Sequence, residues 1–219
     1  MSDRRVSVEI WAIVVAAGEG RRFGQPKQFA SLGGRPVIEW SIDAARSVAR
    51  GVVAVVPESF VGRPGVGKGA DRVLAGGPTR AGSVRRGLAA VPENADVVVV
   101  HDAARPLASR ELFLAVVEAV LSGADGAIPG IAVADTIKRV QNGHVVETLD
   151  RGELVAVQTP QAFRAAALRR AHGEATEATD DAALLEALGL SVSVIAGEYH
   201  NLKLTSPEDL TIAERWSSR

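Results

Sequence analysis

The chain contains no cysteine. That single absence excludes disulfides, cysteine-ligated zinc, iron–sulfur clusters and a cysteine nucleophile. Aromatic residues are scarce, at 4% of 219 residues, and no apolar run reaches the roughly 18 residues that a membrane span needs. Neither sign of charge prevails: 25 Lys and Arg stand against 26 Asp and Glu, for a net charge of −1. Without a bulk positive field, a general nucleic-acid or anionic-membrane binder is disfavoured. The opening Met1-Ser2-Asp3-Arg4-Arg5 leads into a short apolar run and then a Gly-rich loop, unlike a secretory signal, so the cytoplasm is the expected location. What is present is a globular profile, 47% apolar and 23% charged. The length suits one domain over residues 1–219 with a sizeable core.

Residues 9–15 form a short apolar run that ends at Ala16-Ala17-Gly18 and predicts a buried strand. Further strands are expected at 51–56, 71–75, 96–100, 125–133, 154–158 and 191–195. Apolar spacing predicts helices over 36–48, 79–91, 109–121, 162–171 and 180–188. Ser206-Pro207-Glu208-Asp209 opens a last helix, with a cap, a proline in the first turn and two acids at the positive end of the dipole. Strands that are nearly continuous in β-branched residues, alternating with helices, indicate an α/β fold: a mostly parallel sheet covered on both faces. Residues 136–148 break that rhythm. They read as two strands around Asn142-Gly143, a strong hairpin signal, and so predict an arm at about 134–152 that projects from the sheet. A surface flap and an oligomerisation arm both fit such a hairpin.

Open α/β sheets bind ligands at the carboxyl ends of their strands. The first such end carries Gly18, Gly20 and Gly24, which let the backbone turn tightly and present N–H groups to an anion. Arg21, Arg22, Lys27 and Arg35 stand there against the single acid Glu19, a local excess of cations in a nearly neutral chain. A polyphosphate is the natural partner. Two lookalike motifs fail. In Gly18-x-Gly20-x-x-Phe23 the third glycine of a dinucleotide fingerprint comes one place late, and the loop runs on to Pro26 without entering a helix. Gly62-x-x-x-x-Gly67-Lys68 lacks the Ser or Thr of a P-loop, since Gly69 follows, and reads as a flexible surface loop. A second strand end carries Gly76-Gly77-Pro78-Thr79-Arg80 and Ser83, and a third His101-Asp102-Ala103-Ala104-Arg105-Pro106. There Asp102 can accept hydroxyl hydrogen bonds or face a metal, Arg105 can hold a phosphate, and His101 is expected to be a satisfied buried histidine. No HExxH or GxSxG pattern occurs.

Taken together, these loops resemble the 2-C-methyl-D-erythritol 4-phosphate cytidylyltransferase family. Further matches follow in order at Asp135-Thr136-Ile137-Lys138, Asp150-Arg151, Gln158-Thr159-Pro160-Gln161, Thr179-Asp180 and Leu202-Lys203-Leu204-Thr205, so the likeness covers almost the whole chain. It implies a Rossmann-like nucleotidyltransferase fold with a β-arm, two arms clasping in a homodimer. It also implies that CTP and methylerythritol phosphate react, with Mg²⁺, to give pyrophosphate and the cytidine-diphosphate product of the non-mevalonate isoprenoid pathway. By position, Ala16, Ala17, Gly18, Gly20 and the loop to Arg22 would wrap the triphosphate. Gly77 and Ser83 would meet the cytosine, and Asp102 and Ala103 would lie near the ribose and the second substrate. Arg22 and Lys27 match the transition-state stabilisers. Thr136, Arg151, Thr179 and Lys203 match the groups that hold methylerythritol phosphate, with Thr136, Arg151 and Arg105 expected from the partner subunit. Three departures stand out: Val15 where the family often has proline, Pro78 where it often has an acid, and a short stretch between Arg22 and Pro26. The alternatives are another nucleotidyltransferase acting on a sugar phosphate or cofactor precursor, and a non-catalytic nucleotide-binding protein. A nicotinamide oxidoreductase is disfavoured by the failed fingerprint.

Overall fold

The computed structural model describes residues 8–18, 20, 23–24, 26–174 and 178–217. In chain order the elements are β1 (Ile10–Val15), β2 (Ser31–Leu32), β3 (Arg35–Pro36), α1 (Val37–Arg46), β4 (Gly51–Val56), β5 (Arg72–Ala75), α2 (Arg80–Ala90), β6 (Val97–Asp102) and α3 (Arg110–Leu121). There follow β7 (Gly126–Ala132), β8 (Lys138–Gln141), β9 (His144–Thr148), β10 (Val155–Val157), β11 (Gln161–Arg164), α4 (Ala165–Glu174), α5 (Asp181–Glu186), β12 (Val192–Ala196) and α6 (Pro207–Ser217). The main sheet runs β10-β7-β11-β6-β1-β4-β5, with β12 paired to β7. Within that sheet, among the described residues, β10 and β11 alone run against their neighbours.

β1 lies at the centre, with Ile13 facing Val53 of β4 and Val100 of β6 in parallel register. Its residues alternate between two cores. Ala12 and Val14 pack with Ile38 and Ile42 of α1 and Phe113 and Val116 of α3. Ile13 packs on the other face with Val84 and Leu88 of α2, Leu168 of α4 and Leu184 of α5. Two covered faces explain why the strands read as unbroken apolar runs. Each fully buried Val, Ile or Leu contributes about 1.5–3 kcal/mol. The buried centre holds the carboxyl ends of β1 and β6 side by side, with Val15 opposite Asp102. No helix among the described residues is long and apolar enough to cross a membrane.

The structure corrects two expectations of local structure. Residues 162–164 are strand, and the helix begins at Ala165. Ala162 and Phe163 are fully buried between β6 and β7, where Phe163 pairs with Val98 and Gly126, so tertiary pairing overrides helical propensity. Pro36 does not open α1; it is the residue before the helix, extended at ψ 136° and paired with Ser31. β7 runs on through Pro129, whose carbonyl accepts from the Gln158 N–H at 2.8 Å beside β12. The expected hairpin forms as β8 and β9, and every residue of both strands is exposed. The segment after β4 is a series of mostly exposed turns that borders neither hollow described below, as the failed P-loop pattern requires.

Candidate active site

A cleft of about 560 Å³ opens where β1 and β6 end. One wall is the loop after β1, in which Gly20 and Gly24 take positive φ values of 66° and 78°. The buried Gln28 side chain, which also lines the cleft, pins that wall: its amide donates to the carbonyls of Ala16 at 2.7 Å and Gly18 at 3.0 Å. Lys27, in the single helical turn Lys27–Phe29, lines the cleft and donates to the Leu204 carbonyl at 2.6 Å. Arg22, expected beside it, lies outside the described residues.

The opposite wall is the entry to α2. Thr79 caps the helix, accepting from the Gly82 N–H at 3.0 Å. The Ser83 hydroxyl accepts from the Gly77 N–H at 3.1 Å and donates to the Thr79 carbonyl at 2.9 Å. Gly77 must be glycine, since a Cβ there would lie 2.6 Å from the Gly82 backbone carbon. Gly77, Pro78 and Ser83 therefore edge the cleft on a tightly packed turn.

At the floor lies Asp102. Its carboxylate accepts from Lys203 at 2.7 Å through one oxygen and from Arg80 at 3.3 Å through the other. Burial alone would raise the Asp102 pKa, but the charges of Arg80 and Lys203 outweigh it and lower the value to about 2. Asp102 is thus anionic near neutral pH. The Asp102 N–H donates to the Thr159 hydroxyl at 3.0 Å, and that hydroxyl lies 3.1 Å from Nδ1 of His101. His101 Nε2 lies 3.1 Å from the Arg105 carbonyl. One arrangement satisfies all three contacts: Thr159 donates to Nδ1 and a neutral His101 donates from Nε2. Burial lowers the His101 pKa to about 4, consistent with that neutral ring. His101 is the satisfied buried histidine expected of it.

A second hollow of about 330 Å³ adjoins the first and shares Arg80, Asp102 and Lys203 with it. Thr179 and Arg105 line its far side. Arg105 donates to the carbonyls of Asn201 at 2.7 Å and Val157 at 3.3 Å, while its buried Nε has no partner. Burial pulls the Arg105 pKa below the ordinary arginine value, with Asp102 opposing. Within this chain, Arg105 sits in the same hollow as Asp102. Thr136 and Arg151 line neither hollow; both are exposed at the base of the arm, where Arg151 donates to the Ala134 carbonyl. Arg80, Gln28 and Thr159 lay within the quoted motifs without an assigned role. Only their long-range partners reveal one.

A mostly parallel sheet with a glycine-walled, cation-rich cleft at its strand ends is the arrangement of an α/β nucleotide-binding protein. The chain is 45% identical over 214 residues to the 2-C-methyl-D-erythritol 4-phosphate cytidylyltransferase of Rubrobacter xylanophilus, covering 93% of this chain and 92% of that one. It is 41% identical over 208 residues to the enzyme of that name from Aquifex aeolicus, covering 93% and 95%. The crystal structure of the Thermus thermophilus enzyme superposes with a TM-score of 0.81 at 37% identity, over 94% of this chain and 98% of that one. The sequence model of this family matches residues 10–218, and the chain belongs to the 2-C-methyl-D-erythritol 4-phosphate cytidylyltransferase family.

Proposed function

We propose that the protein transfers CMP from CTP to 2-C-methyl-D-erythritol 4-phosphate, releasing pyrophosphate, as a soluble cytoplasmic enzyme of isoprenoid precursor synthesis. The observation that carries this reading is the pair of adjoining hollows that share Arg80, Asp102 and Lys203. The larger takes the nucleotide and the smaller the polyol phosphate, so the two reactants meet at Asp102. A phosphate monoester oxygen of the acceptor attacks the α-phosphorus of CTP in line. A bond forms there as the bond to the bridging oxygen breaks, and pyrophosphate leaves with the electron pair. The nucleophile is already an anion near neutral pH, so no general base is needed. The barrier lies in bringing two anions together and stabilising charge on the α-phosphoryl oxygens.

Each group then has a role. Backbone amides of Ala17, Gly18 and Gly20 face the phosphates, the Ala16 N–H being held by the Val55 carbonyl at 2.7 Å, and Lys27, with Arg22, stabilises the charge that develops. Gly77 and Ser83 border the base. Ala103 allows close approach of the ribose, and Asp102 accepts hydroxyl hydrogen bonds. Thr179, Arg105 and Lys203 hold the polyol phosphate. Thr136 and Arg151 of a second copy complete that hollow, which makes the working form a homodimer joined through the arm. The exposed valines of the arm, Val140, Val145 and Val146, at 55%, 60% and 51%, support a covered surface there. Mg²⁺ fits this site as an ion held mainly by phosphates and water: Asp102 lines the cleft, and no cluster of three metal-ligating side chains occurs among the described residues. When bound, the ion would neutralise charge across the phosphates.

The test is pyrophosphate release by the purified chain with CTP, Mg²⁺ and methylerythritol phosphate, beside other nucleotides and phosphorylated polyols. Turnover confined to CTP and methylerythritol phosphate is the expected result. Preference for another pair would assign a different nucleotidyltransferase, and CTP binding without any release would assign a non-catalytic protein.

A further inference from the structure

Behind the shared floor of the two hollows lie two buried groups that border neither. His172 of α4 and Asp181 of α5 have side chains only 2% and 1% exposed. His172 Nε2 lies 2.9 Å from one Asp181 oxygen. The other Asp181 oxygen accepts from a terminal nitrogen of Arg80 at 2.7 Å. Arg80 then reaches Asp102 through Nε at 3.3 Å. The chain His172–Asp181–Arg80–Asp102 is unbroken, and its members come from four separate elements.

We infer that His172 and Asp181 are positioning residues, which hold the Arg80 guanidinium so that it fixes the Asp102 carboxylate where the two hollows meet. The inference rests on the cytidylyltransferase reading of those hollows. A guanidinium presents donors in a rigid planar fork, so anchoring it at Asp181 also sets the direction of its Nε toward Asp102. A carboxylate as buried as Asp181 requires a partner at each oxygen, and it has them. His172 Nδ1 is buried without a partner, so the ring's proton sits on Nε2 and is donated to Asp181. The imidazole thereby keeps one Asp181 oxygen occupied and leaves the other for Arg80. Burial works against the Arg80 charge, but Asp181 and Asp102 more than offset it and raise its pKa above the ordinary arginine value. Arg80 is therefore a permanent cation between two carboxyl groups. If His172 and Asp181 merely tied α4 to α5, their loss would lower stability without any dependence on Arg80.

The experiment is a set of full-length variants assayed by pyrophosphate release, each checked by thermal melting, with the wild-type chain measured first. Asp181→Asn keeps the shape and removes the charge; kcat/KM for methylerythritol phosphate is expected to fall about tenfold or more. In the Arg80→Lys background the same change is expected to add less than about twofold, because the relay is already cut. His172→Gln, which retains a donor, is expected to stay within about threefold of wild type, whereas His172→Leu, which fills the space without one, falls about tenfold. Losses that multiply in the Arg80→Lys/Asp181→Asn double variant overturn the inference, as does unaltered kcat/KM in folded Asp181→Asn. Should Asp181→Asn fail to fold, the His172 pair decides: equal activity of the Gln and Leu variants overturns the relay. A wild-type chain without turnover on these substrates overturns the functional reading itself, a result distinct from any of these.

Discussion

The larger cleft and the smaller hollow meet at Asp102, yet they are built by different means. The cleft is walled by backbone and small residues: Ala16, Ala17 and Gly18 on one side, Gly77 and Ser83 on the other. The hollow is formed around charged side chains, Arg80, Asp102, Arg105 and Lys203, bound to partners far along the chain. A backbone cradle is written in contiguous residues and fails when a bulky atom intrudes. A side-chain network is written in the topology and fails when one charge or donor is lost.

The largest effect is expected at the one described lysine of the cradle's anchored turn. Lys27→Ala should lower kcat by about 100- to 1,000-fold, or about 2.7–4 kcal/mol of transition-state stabilisation, measured by steady-state pyrophosphate release. Near-normal turnover would move catalysis away from the cradle. The side-chain floor should show itself in acid instead. His101 has a folded pKa of about 4 against an ordinary 6.5, so the unfolded chain takes up the proton first. Its contribution is therefore complete above about pH 6.5 and is lost as pH falls toward 4, about 3 kcal/mol in all. The Asp102 pairs add a loss in the same direction below the ordinary carboxylate value of 3.8, complete near 2. Urea unfolding at pH 7, 5.5 and 4.5 would reveal the histidine contribution, and His101→Gln should flatten the slope.

Gly77→Ala sharpens the contrast from the cradle's side. The added methyl would press on the Gly82 backbone at 2.6 Å, and neither turn can yield without moving the other. A stability loss of about 1–3 kcal/mol and weaker CTP binding by calorimetry are expected. Thr79→Ala removes the cap of α2 and should cost about 1 kcal/mol in denaturant unfolding, with Gly77 and Ser83 left in place. Least of all should the arm matter to the single chain. Val145→Glu lies on a 60% exposed position and should leave stability within about 0.5 kcal/mol, while light scattering records dissociation and activity is lost.

The same contrast governs how far the site can be read from the residues alone. The strand at 9–15, the glycines after it and His101-Asp102 are contiguous, and each signals its own local geometry. Gly33-Gly34, the turn between β2 and β3, is a hairpin signal too short to stand out beside the longer helical pattern that follows. β11 had no local signal at all. Ala162 and Phe163 suit a helix, and only the gap between β6 and β7 makes them a strand. Arg80 and Asp181 stand 101 residues apart, and no spacing rule joins them. The position of Arg105 was legible as a phosphate-binding candidate but not as a member of its own chain's hollow, because that depends on where residue 201 returns.

In the proposed reaction the backbone cradle after β1 holds the triphosphate while the charged hollow beyond Asp102 holds the acceptor. A crystal structure with a non-hydrolysable CTP analogue and methylerythritol phosphate tests it most directly. Phosphates against the amides of Ala17, Gly18 and Gly20 and beside Lys27, with the acceptor between Asp102, Arg105 and Lys203, are the expected result. Nucleotide bound elsewhere, or an acceptor that leaves the second hollow empty, would contradict it.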